Sequence, residues 1–273
     1  MGQQYVLLVK RMYLQAIRIP IAFLALICMG IFQGMFQAFI FQGVGANYYT
    51  TDPYYNAKIS SNFLGLAYLV GSDQFITCSF AQVLQIPQAR PIFIREVSNR
   101  MYGTTAYYLA MASATATMFI LYPIAVTFTS FFFFDLDQGG FGAMMDWMLI
   151  LMLTSIAGGF WGFTFGTFMD NEVAATQLNM LFLIMFSFGA GVFANTGQGA
   201  NIIVQIITYI SPFRYTTEVL FRRVIAGKQG EQLVLDHLGY TWGSDTCIVL
   251  LFTFIIVCFI AGWLSLLYKT RNY

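Results

Sequence analysis

Between Val173 and Phe213 the chain carries no aspartate, glutamate, lysine or arginine. The run is longer than the roughly 20 residues of one membrane helix, yet too short, with a turn, for two comfortable ones. A break at Asn195-Thr-Gly-Gln-Gly199 divides it. The pattern predicts a full span to about Ala194, followed by short helices from about Ala200 to Ala226. Those helices would dip back into the bilayer while buried in protein, the setting in which irregular backbone is tolerated at membrane depth. The remainder of the sequence has the same character. Of its 273 residues, 58% are hydrophobic and 9% charged, against about 25% charged in ordinary globular domains. A soluble fold of this length cannot hide so much apolar surface, so the predicted class is an all-α membrane protein.

The other apolar runs are read in chain order. Residues 1 to 19 form an interfacial helix with Lys10, Arg11 and Arg18, and Pro20 opens a first span, roughly Ile21 to Phe41. Gly30 and Gly34 in it make a GxxxG pair that permits close helix approach. A Tyr-rich polar loop covers Gln42 to Lys58, with Tyr48, Tyr49, Tyr54 and Tyr55 as interface residues. The second span is about Ile59 to Ile86, with Asp73 and Gln74 near its middle. The third runs from Thr104 to Phe134 through a kinking Pro123, and ends in a turn at Gly139-Gly140. The fourth, Trp147 to Met169, carries Gly158, Gly162 and Gly166 as a smooth face for a neighbour. Asp170-Asn171-Glu172 is read as a tight turn that caps the next helix. A polar loop with Lys228, Glu231, Asp236 and His237 precedes the last span, Cys247 to Tyr268, and a short tail.

Pro87 to Leu109 is a charged island between two long apolar runs. It reads as a short amphipathic helix opened by Pro91, with Phe93, Val97 and Met101 on one face and Arg95, Glu96, Asn99 and Arg100 on the other. Glu96 precedes Arg100 by four residues, the favourable order for an intrahelical pair, and Tyr102-Gly103 ends the helix. Six spans put both chain ends on one side. Lys10, Arg11, Arg18, Arg90, Arg95, Arg100, Lys269 and Arg271 then share that side and make up most of the 13 basic residues, which places the ends and the island in the cytosol.

Several function classes are excluded or left without support. A net charge of +1 gives no pull toward nucleic acid. Cys28, Cys78, Cys247 and Cys258 lie in or beside apolar runs and read as small hydrophobes. His237 stands alone, without metal-ligand spacing around it. HExxH and GxSxG are both absent. Nothing at the N-terminus has the form of a cleaved secretory signal or a myristoylation site.

The segment PxxRPIFxRE, followed by MYGTTAYYLA, resembles the second-span end, coupling helix and third-span start of G-subfamily ABC transporters, of the ABC-2 membrane-domain type. Three further blocks agree in order. Gln4-x-x-x-Leu8-x-x-Arg11 with Arg18-x-Pro20 is similar to the connecting helix and first span. Phe188-Gly-Ala-Gly-Val192-Phe193-Ala-Asn195 is similar to the fifth-span end. Tyr209-Ile-Ser-Pro212-Phe-Arg214-Tyr215-Thr-Thr-Glu218 is similar to the re-entrant signature. The resemblance covers nearly all of residues 1–273.

That resemblance implies six transmembrane helices, a cytosolic coupling helix and re-entrant helices between spans five and six. It further implies a dimer, homo- or heteromeric, of two membrane domains around a central cavity in the lipid bilayer. ATP-driven closure of nucleotide-binding domains opens the cavity outward and expels an amphipathic or lipid-like molecule. Carried over by position, Phe93, Arg95 and Glu96 meet the ATPase domain. Asp73, Ile76, Leu183, Ile184 and Ser187 face the cavity, and Val192 and Phe193 form its apolar plug. Pro212, Arg214, Tyr215 and Glu218 carry the re-entrant signature. No GxxxxGK[ST] or LSGGQ-like motif occurs, so ATP and Mg are expected on an ATPase domain outside this sequence.

Some alternatives stay open. Asp73, costly at mid-membrane by about 2.5–3.5 kcal/mol, either recognises a substrate amine or hydroxyl or bonds a neighbouring helix. Arg214 and Glu218 are expected to pair and pin their helix, and Asp170 and Glu172 to serve the turn. A non-transporting membrane subunit and, behind it, an intramembrane enzyme are the competing function classes.

Overall fold

A computed structural model describes residues 2–18, 20–45, 53–136, 140–193, 201–227 and 231–271. All regular structure in these segments is helical: α1 (Gly2–Arg18), α2 (Pro20–Ile40), α3 (Pro53–Ser98) and α4 (Thr104–Ser130), which a 3-10 turn (Phe131–Phe134) extends. Next come α5 (Gly140–Phe168), α6 (Glu172–Gly189), α7 (Ile202–Ile210), α8 (Pro212–Ile225), α9 (Glu231–Leu238) and α10 (Ser244–Arg271). Four stretches are long and apolar enough to cross a membrane: Thr104–Phe134, Gly140–Phe168, Glu172–Gly189 and Ser244–Thr270. In α2 the apolar segment is the shorter Leu24–Ile40.

The boundaries have local causes. Pro20 and Pro53 open α2 and α3, where a missing N–H costs nothing. The second of these makes Pro53 to Lys58 helical rather than part of the expected loop. Asn171 caps α6 by accepting a hydrogen bond from the Val173 amide at 3.0 Å. Ser211 ends α7 in an extended conformation and Pro212 starts α8 immediately, while the Ser211 hydroxyl donates to the Phe186 carbonyl of α6 at 2.7 Å. The 195–199 break, Asp137 and Gly139, Lys228, and the His237 side chain fall outside the described residues.

One expected boundary moves. The island is no separate helix: α3 continues through Pro87 and Pro91 to Ser98. The two prolines lie one turn apart, so the two lost backbone bonds fall on one side. Arg90 between them holds that stretch in line, donating to the carbonyls of Gly166 (2.9 Å), Thr167 (2.9 Å) and Met169 (2.6 Å) at the end of α5. The helix ends before Tyr102, because Arg100 turns into the left-handed region (φ 54°). The Arg100 amide donates to the Val97 carbonyl and the Met101 amide to the Glu96 carbonyl, a Schellman closure. Phe93 is buried and Val97 half-buried, whereas Met101 is exposed, so the expected apolar face stops at Val97.

Helix α3 packs against α5 along the glycine face read from the sequence. A Cβ on Gly158 would stand 2.3 Å from the Phe75 carbonyl oxygen, and one on Gly162 2.2 Å from that of Ser79. Only glycine admits this approach. The Gly30/Gly34 pair does the same for α2 on α4, opposite Ala125, Val126 and Thr129. Helix α8 is almost wholly buried, packed on α3, α5 and α10. The apolar interior has one large cluster around Phe63, Trp147, Phe221 and Tyr240, and a second around Phe93, Tyr108 and Phe163 at the other end.

Candidate functional site

Three groups of polar or aromatic side chains stand out, and α3 contributes to each of them. The first lies where α1 meets the end of α3. Arg11 Nη1 donates to Glu96 Oε2 at 2.9 Å, and the Tyr102 hydroxyl donates to the same oxygen at 2.5 Å. The expected Glu96–Arg100 pair is replaced, because Arg100 leaves the helix at positive φ and Arg11 supplies the cation. The hydrogen bond from Arg11, ahead of that from Tyr102, holds the Glu96 carboxyl below its ordinary range, and Glu96 raises Arg11 in turn. Phe93 anchors the segment from inside, its ring 4.4 Å from that of Tyr107. Arg95 is exposed.

A second ion cluster stands at the same end. Asp170 accepts from Arg90 Nη1 at 2.5 Å and from the Lys269 ammonium of α10. Its carboxyl is held low, chiefly by the hydrogen bond from Lys269. Asp170 is therefore more than a turn residue: it ties the ends of α3, α5 and α10 beside the start of α6. Thr104 at the start of α4 reaches Thr270 of α10 at 3.4 Å. Arg11, Glu96, Asp170 and Lys269 thus gather segments that the sequence separates by up to the length of the chain.

The mid-chain group centres on Asp73. Oδ2 accepts from the Tyr122 hydroxyl of α4 at 2.8 Å and from Gln37 Nε2 of α2 at 3.4 Å, and Oδ1 from Thr77 at 3.5 Å. Of the two readings of Asp73, the bond to neighbouring helices is formed. Gln37 Oε1 is buried without a partner. Ile76, in contrast, packs with Leu183 of α6 in an apolar cluster with Phe75, Phe186 and Phe213. Ile184 is half exposed, and the Ser187 hydroxyl donates to the Leu183 carbonyl in its own helix at 2.9 Å. Expected cavity residues therefore divide: Ile76 and Leu183 share one apolar cluster, while Asp73 bonds to α2 and α4. Further polar bonds cross between spans, from Ser79 and from Trp161 Nε1 to Asn179 Oδ1 (2.9 and 3.0 Å) and from Ser155 to Gln74 (3.2 Å).

The third group is at the opposite end. Phe193 is exposed and sets its ring edge-on to Tyr68 at 5.4 Å, while Val192 is half-buried. In α8, Glu218 is fully buried between two arginines, at 3.3 Å from Arg214 Nε and 3.0 Å from Arg222 Nη2. Arg214 also donates to the Gly239 carbonyl and lies 4.2 Å over the Tyr240 ring. Arg222 donates to the Tyr240 carbonyl at 2.6 Å, and the Tyr215 hydroxyl donates to the Tyr209 carbonyl. The expected Arg214–Glu218 pair is present as part of a larger network. Among the described residues no group of three His, Cys, Asp or Glu side chains is placed to hold a metal.

Sequence reasoning missed Arg11, Tyr122, Arg222 and Tyr68. Arg222 follows Glu218 by four residues, and Tyr68 precedes Ile76 by two helical turns on the same face, so both had a periodic signal. No local pattern links Arg11 to Glu96 or Tyr122 to Asp73.

Comparison with known proteins bears on what this arrangement serves. Two curated relatives, the Protein white of Ceratitis capitata and that of Drosophila melanogaster, are each 23% identical to the chain over 159 residues. The aligned segment is 58% of this chain and 23% of each relative, so the chain spans well under half the length of the proteins it matches. The family model described as "ABC-2 type transporter" matches residues 3–222, from α1 into α8 and so including both the Arg11–Glu96 contact and the Arg214, Glu218 and Arg222 side chains. On that match the chain belongs to the ABC-2 type transporter family, as an integral membrane domain of it.

Proposed function

We propose that this chain is the membrane domain of an ATP-driven exporter of the G-subfamily type, moving lipid-like or amphipathic molecules across a bilayer. The observation that carries the reading is the Arg11–Glu96 contact beside exposed Arg95. It joins the helix leading into the first span to the charged end of the second, on a surface a soluble ATPase domain can grip. The reading takes α2 and α3 as the first two of six crossings and α7–α8 as a re-entrant pair. Both chain ends and the Arg95–Glu96 segment then face the cytosol, as the basic-residue bias favours.

In this mechanism ATP and Mg act on the nucleotide-binding domain, outside these residues. Closure of two such domains pushes on Arg95 and Glu96. The push reaches α1 through Arg11, and α5, α6 and α10 through Arg90, Asp170 and Lys269. Two membrane domains pack as a dimer, homo- or heteromeric, around a cavity lined by Ile76, Leu183, Ile184 and Ser187 and plugged by Val192 and Phe193. Substrate leaves because the two states of that cavity bind it unequally. Asp73 serves chiefly to hold α2, α3 and α4 together, its carboxylate already occupied by Tyr122, Gln37 and Thr77.

The test is co-purification with an ATPase-bearing chain, reconstitution into vesicles and measurement of ATP-dependent efflux of an amphipathic dye. Efflux that disappears in Glu96→Lys while the complex stays assembled supports the proposal. Full efflux in that variant, or hydrolytic turnover by the isolated chain, overturns it.

A further inference from the structure

Helix α1 has an apolar face the fold does not use. Tyr5, Leu8, Val9 and Met12 pack on the protein, against the cluster that holds Phe93 and Tyr108. The opposite arc is exposed and still apolar: Val6, Leu7, Leu14 and Ile17 are 62%, 67%, 41% and 72% accessible. At 100° per residue, Leu7 and Leu14 fall between Lys10 on one side and Arg11 and Arg18 on the other. All three cations are exposed, and α1 contains no acidic residue. An ordinary surface helix of a globular protein buries one apolar face in the core and shows water a polar one. Here the outward arc mixes aliphatic side chains with cations, a composition suited to the boundary between acyl chains and phosphate groups.

We infer that the outer face of α1 is a docking surface for anionic phospholipid of the adjoining leaflet. Leu7, Leu14 and Ile17 enter the acyl region, and the long stems of Lys10 and Arg18 carry their charges back to the headgroup phosphates. The charge complementarity selects the occupant. Lys10 and Arg18, on a helix with no acid of its own, repel a basic partner and gain more from an anionic surface than from a zwitterionic one. Arg11 adds a consequence, since its guanidinium is already committed to Glu96. A leaflet that fixes α1 also fixes the position from which Arg11 holds Glu96, so leaflet composition sets the stiffness of that contact.

The direct test uses the purified chain and needs no ATPase partner, so it stands or falls separately from the transporter reading. The chain is equilibrated in micelles containing equal amounts of phosphatidylcholine and phosphatidylserine, and retained lipid is counted by native mass spectrometry. The expected result is preferential retention of phosphatidylserine, falling on the order of fivefold for each cation removed in Lys10→Gln and Arg18→Gln. Circular dichroism on the same samples should show unchanged helix content. Equal retention of the two lipids by the unaltered chain overturns the inference, as does a preference that survives the double variant. Displacement of the bound lipid by millimolar inorganic phosphate would show a free-anion site instead, and would also overturn it.

Discussion

Arg11 and Glu96, separated by 85 positions in the chain, meet at 2.9 Å and form the ion pair between α1 and the charged end of α3. The arginine is 43% exposed and the glutamate 16%, so the pair contributes little to folding, about 0.2–1 kcal/mol. Its importance lies in where it joins the chain. Glu96→Lys should leave thermal stability nearly unchanged yet abolish ATP-coupled efflux by the assembled transporter. Arg11→Glu combined with Glu96→Lys should recover part of that efflux, because the pair is restored with its charges exchanged. Efflux measured across the four members of this cycle gives the coupling between the two sites directly.

Acid should loosen this end of the bundle first. Glu96 and Asp170 are both held below the ordinary carboxylate range, by Arg11 and Lys269 respectively. A carboxyl whose folded-state pKa is depressed contributes stability in full above its unfolded value. That contribution is lost as pH falls through the lower folded value. Thermal midpoints in detergent should therefore be flat through neutral pH and decline only below about pH 4. Asp170→Asn should flatten that decline by removing one of the two titrating groups, and an unchanged acid limb would show that Asp170 does not hold the helix ends.

A single methyl group should separate α3 from α5. In Gly162→Ala the new Cβ would stand 2.2 Å from the Ser79 backbone oxygen, a position no rotamer can relieve. The cost should be about 1–3 kcal/mol, as for other over-packed contacts. Gly142, on the same helix, has nothing within 4 Å of the added carbon, so Gly142→Ala should be neutral or gain up to about 1 kcal/mol of helix propensity. Thermal unfolding of the two variants side by side separates packing from propensity.

The sequence made the helices legible and left their partners hidden, for a physical reason. A lipid solvent demands long uncharged runs, and such runs can be read directly: Thr104 to Phe134 and the start of α6 at Asn171-Glu172 lie where the pattern places them. Glycines at four-residue spacing announced a close packing face, though not that Phe75 and Ser79 would fill it. Pro91 misled, because a proline that opens a helix in isolation can also be carried inside a longer one when Arg90 braces it on the end of α5. Glu96 was legible as a charge on the polar face of the island. Its partner was not, because the local i,i+4 rule favoured Arg100 and the left-handed turn at that residue depends on tertiary context. Similarly, nothing in the local pattern around Asp73 indicates that Tyr122, 49 positions away, would donate to it.

Glu218 should prove to be the least replaceable charged residue in the chain. Its side chain is fully inaccessible, and its two oxygens are divided between Arg214 and Arg222. Those arginines also hold the Gly239 and Tyr240 carbonyls, so one carboxylate fixes both α8 and the segment leading to α10. Removing the acid while keeping its shape, as in Glu218→Gln, strands two buried or half-buried cations near one another. Breaking a buried ionic network from one side costs about 3–5 kcal/mol, enough to unfold a marginal domain. Arg222→Gln should cost less, because Arg222 is 20% exposed and Arg214 continues to neutralise Glu218. Retention of folded, monodisperse protein after heating should therefore rank the unaltered chain above Arg222→Gln, and Arg222→Gln above Glu218→Gln. Combining the two substitutions should recover stability relative to Glu218→Gln alone, since one cation rather than two then loses its carboxylate. A double variant no more stable than Glu218→Gln would mean that Glu218 acts through packing rather than charge.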